Sequence, residues 1–160
     1  MRVAHAATWA RRALHGSAAL LFALMVLLVL AQVVARKFFE PLVWSEELAR
    51  YVFIWVAFLG WVIATDRGSH IAIAQGAQRA PARLKTVLQA FGDLCTLGLM
   101  ALLLRQGIQL ILNNQGIEAV SLPLPFALVY AAVPVAALGV SVIVLARSLA
   151  GLRAARAGSP

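Results

Sequence analysis

Asp93 is the residue best placed to do chemistry, because a carboxylate inside an apolar run is costly and is functional by default. A coupling carboxylate of that kind would bind a proton and a cation in turn. Such a site normally draws on a second acid deep in the same bundle, and the apolar runs supply none. Lys85 also lies only about two helical turns away, which places Asp93 near a membrane boundary where a basic neighbour can satisfy it. Asp93 therefore reads as a structural group, paired with Arg67 or with a residue of another chain.

Other reactive types point nowhere catalytic. His70 has no second His or Cys nearby with which to hold a metal, and His5 and His15 sit close to the N-terminus. Cys95 is the one cysteine, so neither an internal disulfide nor a cysteine-based metal site can form. A haem would need axial ligands inside the bundle, and no suitable pair exists. Membrane thiol oxidases and haem redox proteins are thereby disfavoured, and the sequence implies no cofactor, no metal and no enzyme activity. Asn113, Asn114 and Gln115 read as a polar turn.

The densest constellation is the stretch from Trp44 to Gly60, W-S-E-E-L-A-R-Y-V-F-I-W-V-A-F-L-G. Ser45 suits a helix N-cap, and Glu46 and Glu47 suit the positive end of the helix dipole. Arg50 follows them by four and three residues, so either can pair with it on the helix surface. At 100° per residue Trp44, Glu47, Tyr51, Trp55 and Phe58 share one face. Ala57, Gly60 and Ala64 share another, a small-residue strip along which a second helix could approach. Acidic groups near a bilayer face protein rather than lipid, so this stretch reads as a docking surface more than as a capped helix with interfacial aromatics.

The elements that must position these residues are membrane spans. Of the 160 residues, 62% are hydrophobic and 12% charged, too little polar surface for a soluble domain of this length. No charged residue interrupts the runs between Arg12 and Arg36 or between Glu118 and Arg147, and each exceeds the roughly 20 apolar residues a crossing helix needs. The sequence predicts an all-α integral membrane protein, one domain of four spans at about 13–35, 43–64, 84–112 and 126–149. The first is read as a retained helix rather than a signal peptide, being long and lacking a small-residue cleavage site. Glu40 precedes Pro41, a pair that breaks the chain between the first two spans. Pro134 is expected to bend the fourth span, Arg105 to snorkel at one end of the third, and Trp9 and Trp61 to mark interfaces. The connection from Thr65 to Arg83 could hold a short interfacial helix.

The net charge of +8 follows from topology, since the basic residues flank spans instead of forming the basic patch that nucleic acid would require. With both termini cytoplasmic, the inner side carries Arg2, Arg11, Arg12, Arg67, Arg79, Arg83, Lys85, Arg147, Arg153 and Arg156. The outer side then carries Arg36, Lys37, Arg50 and Arg105, and ten against four favours this orientation.

The run from Trp44 to Gly60 resembles the signature of the small membrane subunit of tripartite ATP-independent periplasmic (TRAP) transporters. The resemblance continues through Asp66-Arg67-Gly68-Ser69-His70-Ile71 and returns at Leu124-Pro125, Tyr130 and Pro134. One departure is that Ile71-Ala72-Ile73-Ala74 lacks the acid which often follows that His-Ile. The resemblance implies a scaffold in the bacterial inner membrane, within a sodium-coupled, elevator-type symporter for organic acids. It implies two partners, a large transporting membrane subunit and a periplasmic substrate-binding protein. Trp44, Glu46, Glu47, Arg50, Tyr51, Trp55, Gly60, Arg67 and His70 are the expected subunit interface, with Asp93 a buried polar partner. The alternative is a self-sufficient four-helix proton-coupled transporter acting as a homo-oligomer. The substrate is not written in this chain, because specificity would reside in the other subunits.

Overall fold

The computed structural model describes residues 2–38, 42–67 and 82–157. It contains four helices long and apolar enough to cross a membrane, spanning Thr8–Phe38, Val43–Asp66, Val87–Asn113 and Ala127–Gly151. These lie within α1 (Arg2–Phe38), α2 (Val43–Asp66), α3 (Ala82–Asn113), the single turn α4 (Ala127–Tyr130) and α5 (Ala132–Ala157). The four expected spans are therefore present. α1 ends and α2 begins on either side of Pro41, as the Glu40–Pro41 pair predicts. The segment that was expected to hold an interfacial helix falls largely outside the described residues.

The helices stand as a row: α1 against α2, α2 against α5, and α5 against α3. Their up-and-down order gives the molecule two ends. At the terminal end α1 starts, α2 finishes and α5 finishes; at the loop end lie the start of α2 and the connection 114–126. α5 is the most buried span and α1 and α3 the least, so the outer flanks carry apolar side chains toward whatever surrounds the chain.

Small residues let the central helices close up. The main core joins Val62 of α2, Met100 of α3, and Ala136, Ala137, Val140 and Val144 of α5. A Cβ on Gly139 would lie 3.1 Å from Cγ1 of Val62, and one on Gly107 would lie 2.9 Å from Cδ of Pro134. Gly107 therefore admits its neighbour at a distance alanine would not, and Gly139 at one where alanine would push Val62 aside, the usual way membrane helices gain packing without a hydrophobic drive. Pro134 sits inside the fourth span, as expected: α4 and α5 belong to one apolar span, Ala127–Gly151, interrupted at Ala131. Ala131 N–H donates to Ala127 O at 2.9 Å and Val135 N–H to Ala131 O at 3.2 Å, whereas Pro134 has no N–H to give Tyr130 O between them.

A second, smaller core fills the loop end. Tyr51, Ala119 and Val129 are buried together, with Leu122, Leu124 and Phe126 packed on them. The connection folds back on itself: Ala119 N–H donates to Leu124 O at 3.0 Å and Phe126 N–H to Ile117 O at 3.0 Å. This hairpin-like loop covers the start of α2 and carries at its tip Val120, which is 96% exposed.

Candidate functional site

α2 has two working faces. Along one run Glu47, Tyr51, Trp55, Phe58, Val62 and Thr65, all buried or half-buried within this chain. Along the other run Glu46, Arg50, Phe53, Ala57, Gly60, Ala64 and Arg67, and every one of them is exposed. The second set alternates steps of four and three residues, the 3.5-residue repeat of a seam that packs against another helix. Nothing lies within 4 Å of where a Cβ on Gly60 would stand.

The inward face is held by polar anchors. The carboxylate of Glu47 accepts from two successive loop amides, Val120 N–H at 3.1 Å and Ser121 N–H at 2.8 Å. Charge-assisted bonds of this kind contribute more than neutral ones. Trp55 donates Nε1–H to Leu128 O at 3.1 Å, tying α2 to α4. The Tyr51 ring lies 5.8 Å from that of Phe126, and its hydroxyl is buried without a hydrogen-bond partner.

Several local expectations are corrected. Ser45 is not the N-cap: Leu42 holds that position without a side-chain bond, and Ser45 is inside the first turn. There its hydroxyl donates back to Leu42 O at 2.7 Å, a local bond that serine readily makes inside a helix. Arg50 pairs with Glu46 at a loose 3.7 Å, both well exposed, while the carboxylate of Glu47 is turned to the loop. Asp93 is paired with α5 and not with Arg67. Arg147 Nη2 donates to its Oδ1 at 2.6 Å and Ser148 Oγ to its Oδ2 at 2.7 Å, both from α5. Each oxygen thus has a donor, and the Asp93 side chain keeps only 13% exposure.

The remaining residues of interest fall into place around these anchors. Trp44 is exposed at the start of α2. Arg67 caps the end of α2, its N–H donating to Ile63 O at 3.1 Å, with its side chain exposed. His70 lies outside the described residues. Trp61 is half-buried against Phe58 and packs on the main core, whereas Trp9 is exposed. Cys95 is free and exposed. Among the described residues no three of His, Cys, Asp and Glu gather as a metal site would require. Three features went unread in the sequence: the Arg11–Asp66 ion pair at 2.9 Å, the Glu47 clamp, and Gln32, whose buried Nε2 has no partner. The first two join segments far apart in sequence, and no spacing rule reports such a pairing. Gln32 is visible in the sequence as the one polar residue of the run from Ala18 to Ala35.

Residues 25–154 match the family model of the tripartite ATP-independent periplasmic transporters, DctQ component. A TRAP transporter small permease protein of Haemophilus influenzae is 33% identical over 129 residues, covering 79% of this chain and 80% of that one. An isethionate TRAP transporter permease protein of Oleidesulfovibrio alaskensis is 33% identical over 111 residues. That match covers 68% of this chain but spans only 17% of that protein's length. The sialic acid TRAP transporter small permease protein of Vibrio cholerae is 43% identical over 51 residues, 31% of this chain and 30% of its own. With four spans in place and a family match over most of its length, this chain belongs to the DctQ family, the small permease component of tripartite ATP-independent periplasmic transporters.

Proposed function

We propose that this chain is the fixed scaffold subunit of a sodium-coupled, binding-protein-dependent transporter for organic acids in the bacterial inner membrane. It docks a large transporting subunit along the outward face of α2 and helps seat the periplasmic binding protein. The observation that carries this reading is the unbroken exposed seam from Glu46 to Ala64, open at Gly60 and ending in charged groups. A lone helix in lipid gains nothing from such a strip, whereas a partner helix gains close backbone approach. A match that fills most of this chain but a small part of the isethionate permease is what a small subunit joined to a larger one would give.

Two further points support the assignment. Asp93, the one candidate for ion coupling, has both oxygens occupied by α5, which disfavours a self-sufficient proton-coupled carrier. With the terminal end cytoplasmic, as the charge distribution favours, the Glu47-clamped loop and its exposed Val120 face the periplasm, where a binding protein arrives.

The test is purification of the tagged chain from its native membrane in mild detergent, with its companions identified and counted. The expected result is a much larger polytopic permease in equal amount. Recovery of this chain alone, or as a self-oligomer that transports in liposomes, would overturn the scaffold reading.

A further inference from the structure

At the terminal end the row of helices opens into a groove of about 740 Å³ between α1 and α5, with α2 as its floor. Leu14, Val62, Leu138, Val142 and Ile143 contribute apolar walls, and Gly139 lies over Val62 where the floor is tightest. Arg11, Asp66 and Arg147 stand at its mouth. From Arg147 to Leu138 the groove runs about 14 Å along α5, so a charged rim leads into a long apolar slot.

We propose that this groove binds one anionic phospholipid, its phosphate held at the Arg11–Arg147 rim and an acyl chain laid over Val62 and Gly139. The charge at the rim is what selects the occupant. Arg11 gives one guanidinium nitrogen to Asp66 and is still 64% exposed, and Arg147 gives Nη2 to Asp93. A guanidinium has five N–H donors and matches a phosphate with two at once, so both arginines keep capacity for an anion after serving their aspartates. Arg12 and Arg67, both exposed, are the immediate chain neighbours of Arg11 and Asp66. These four arginines outnumber Asp66 and Asp93 two to one, so the charge close to the groove is positive. Basic pockets between membrane helices are suited to anionic headgroups, while the apolar walls suit a lipid tail and offer nothing to a free ion.

The seat also explains an otherwise idle arrangement. The Arg11–Asp66 pair joins α1 to α2 beside the groove, and Arg147–Asp93 joins α3 to α5 on its other side. A phosphate between the two arginines would link both pairs across the end of the row, where α1 packs chiefly on α2.

The test is native mass spectrometry of the full-length chain, purified in mild detergent and titrated with phosphatidylglycerol or phosphatidylcholine of identical acyl chains. One phosphatidylglycerol per chain should be retained in preference to phosphatidylcholine, and R11Q should reduce that preference about fivefold by removing one rim cation. Because R11Q also frees Asp66, V142W provides the independent variant: it fills the slot from an exposed position, leaves both ion pairs intact and should abolish retention. Equal retention of the two lipids, unaffected by V142W, would overturn the proposal. Displacement by excess inorganic phosphate would overturn it in favour of a free-anion site. Disulfide crosslinking of V142C to a copurifying permease would overturn it in favour of a protein helix in the groove.

Discussion

The two faces of α2 differ in one respect above all: the inward face has found its partners and the outward face has not. Glu46 and Glu47 are neighbours in sequence and identical in chemistry, yet one carboxylate grips two loop amides and the other reaches an exposed arginine at 3.7 Å. Tyr51 and Trp55 are used up in packing and hydrogen bonding within the chain, while Phe53, Ala57 and Gly60 on the other side touch little. In a membrane that contrast is informative, because lipid is as apolar as leucine and gives small residues no reason to line up. The inward face builds the subunit, and the outward face is where the proposed transporter would be assembled.

The sharpest way to break the comparison is at Glu47. E47A removes an acceptor from two amides and should cost about 2 kcal/mol at the loop end. Hydrogen exchange should show Val120 and Ser121 losing protection while the α3–α5 core keeps its own. Unchanged protection would mean that the clamp is not what holds the loop.

A substitution on the opposite face should behave in the opposite way. A Cβ at position 60 meets nothing within 4 Å and glycine is a poor helix former, so G60L should not lower the thermal stability of the isolated chain. Recovery of the large permease should fall about tenfold, equivalent to about 1.4 kcal/mol of association. Equal recovery would place the partner elsewhere on the molecule.

How much of this was legible beforehand depends on the range of the interaction. The four spans, the break at Pro41 and the division of α2 into an aromatic face and a small-residue face all follow from local periodicity and charge spacing. The aromatic face is set by the helical period; that it turns inward, onto 114–126 and α4, was not visible, because the contact joins residues more than 70 apart. Ser45 misled for a related reason. A serine ahead of two glutamates matches a capping signal, but the helix starts two residues earlier and the hydroxyl settles on Leu42 O. The partners of Asp93 are hidden in the same way, since Arg147 and Ser148 reach it only once α5 lies against α3.

Asp93 gives the next test. D93N keeps an oxygen for Ser148 and a group near Arg147 but removes the charge, so about 1 kcal/mol of stability should be lost, within the range of membrane hydrogen bonds. Transport by the assembled complex should persist. Complete loss of transport with normal assembly would return Asp93 to the role of a coupling carboxylate and weaken the contrast between a building face and a docking face.

The smallest effect belongs to the Glu46–Arg50 pair. Both side chains are more than 60% exposed and their contact is long, so E46A/R50A should change the stability of the chain by less than about 0.5 kcal/mol. In a complex the same two groups would leave water and meet a partner, where removing them leaves the partner's polar atoms unpaired. Recovery of the large permease should therefore fall about threefold, less than for G60L because polar groups at a rim steer and orient more than they bind. If stability and recovery both stay constant, the seam begins below Arg50 and its polar end is plain solvated helix. If recovery falls while stability holds, the docking face runs the full length of α2, from its charged start through Gly60 to Ala64.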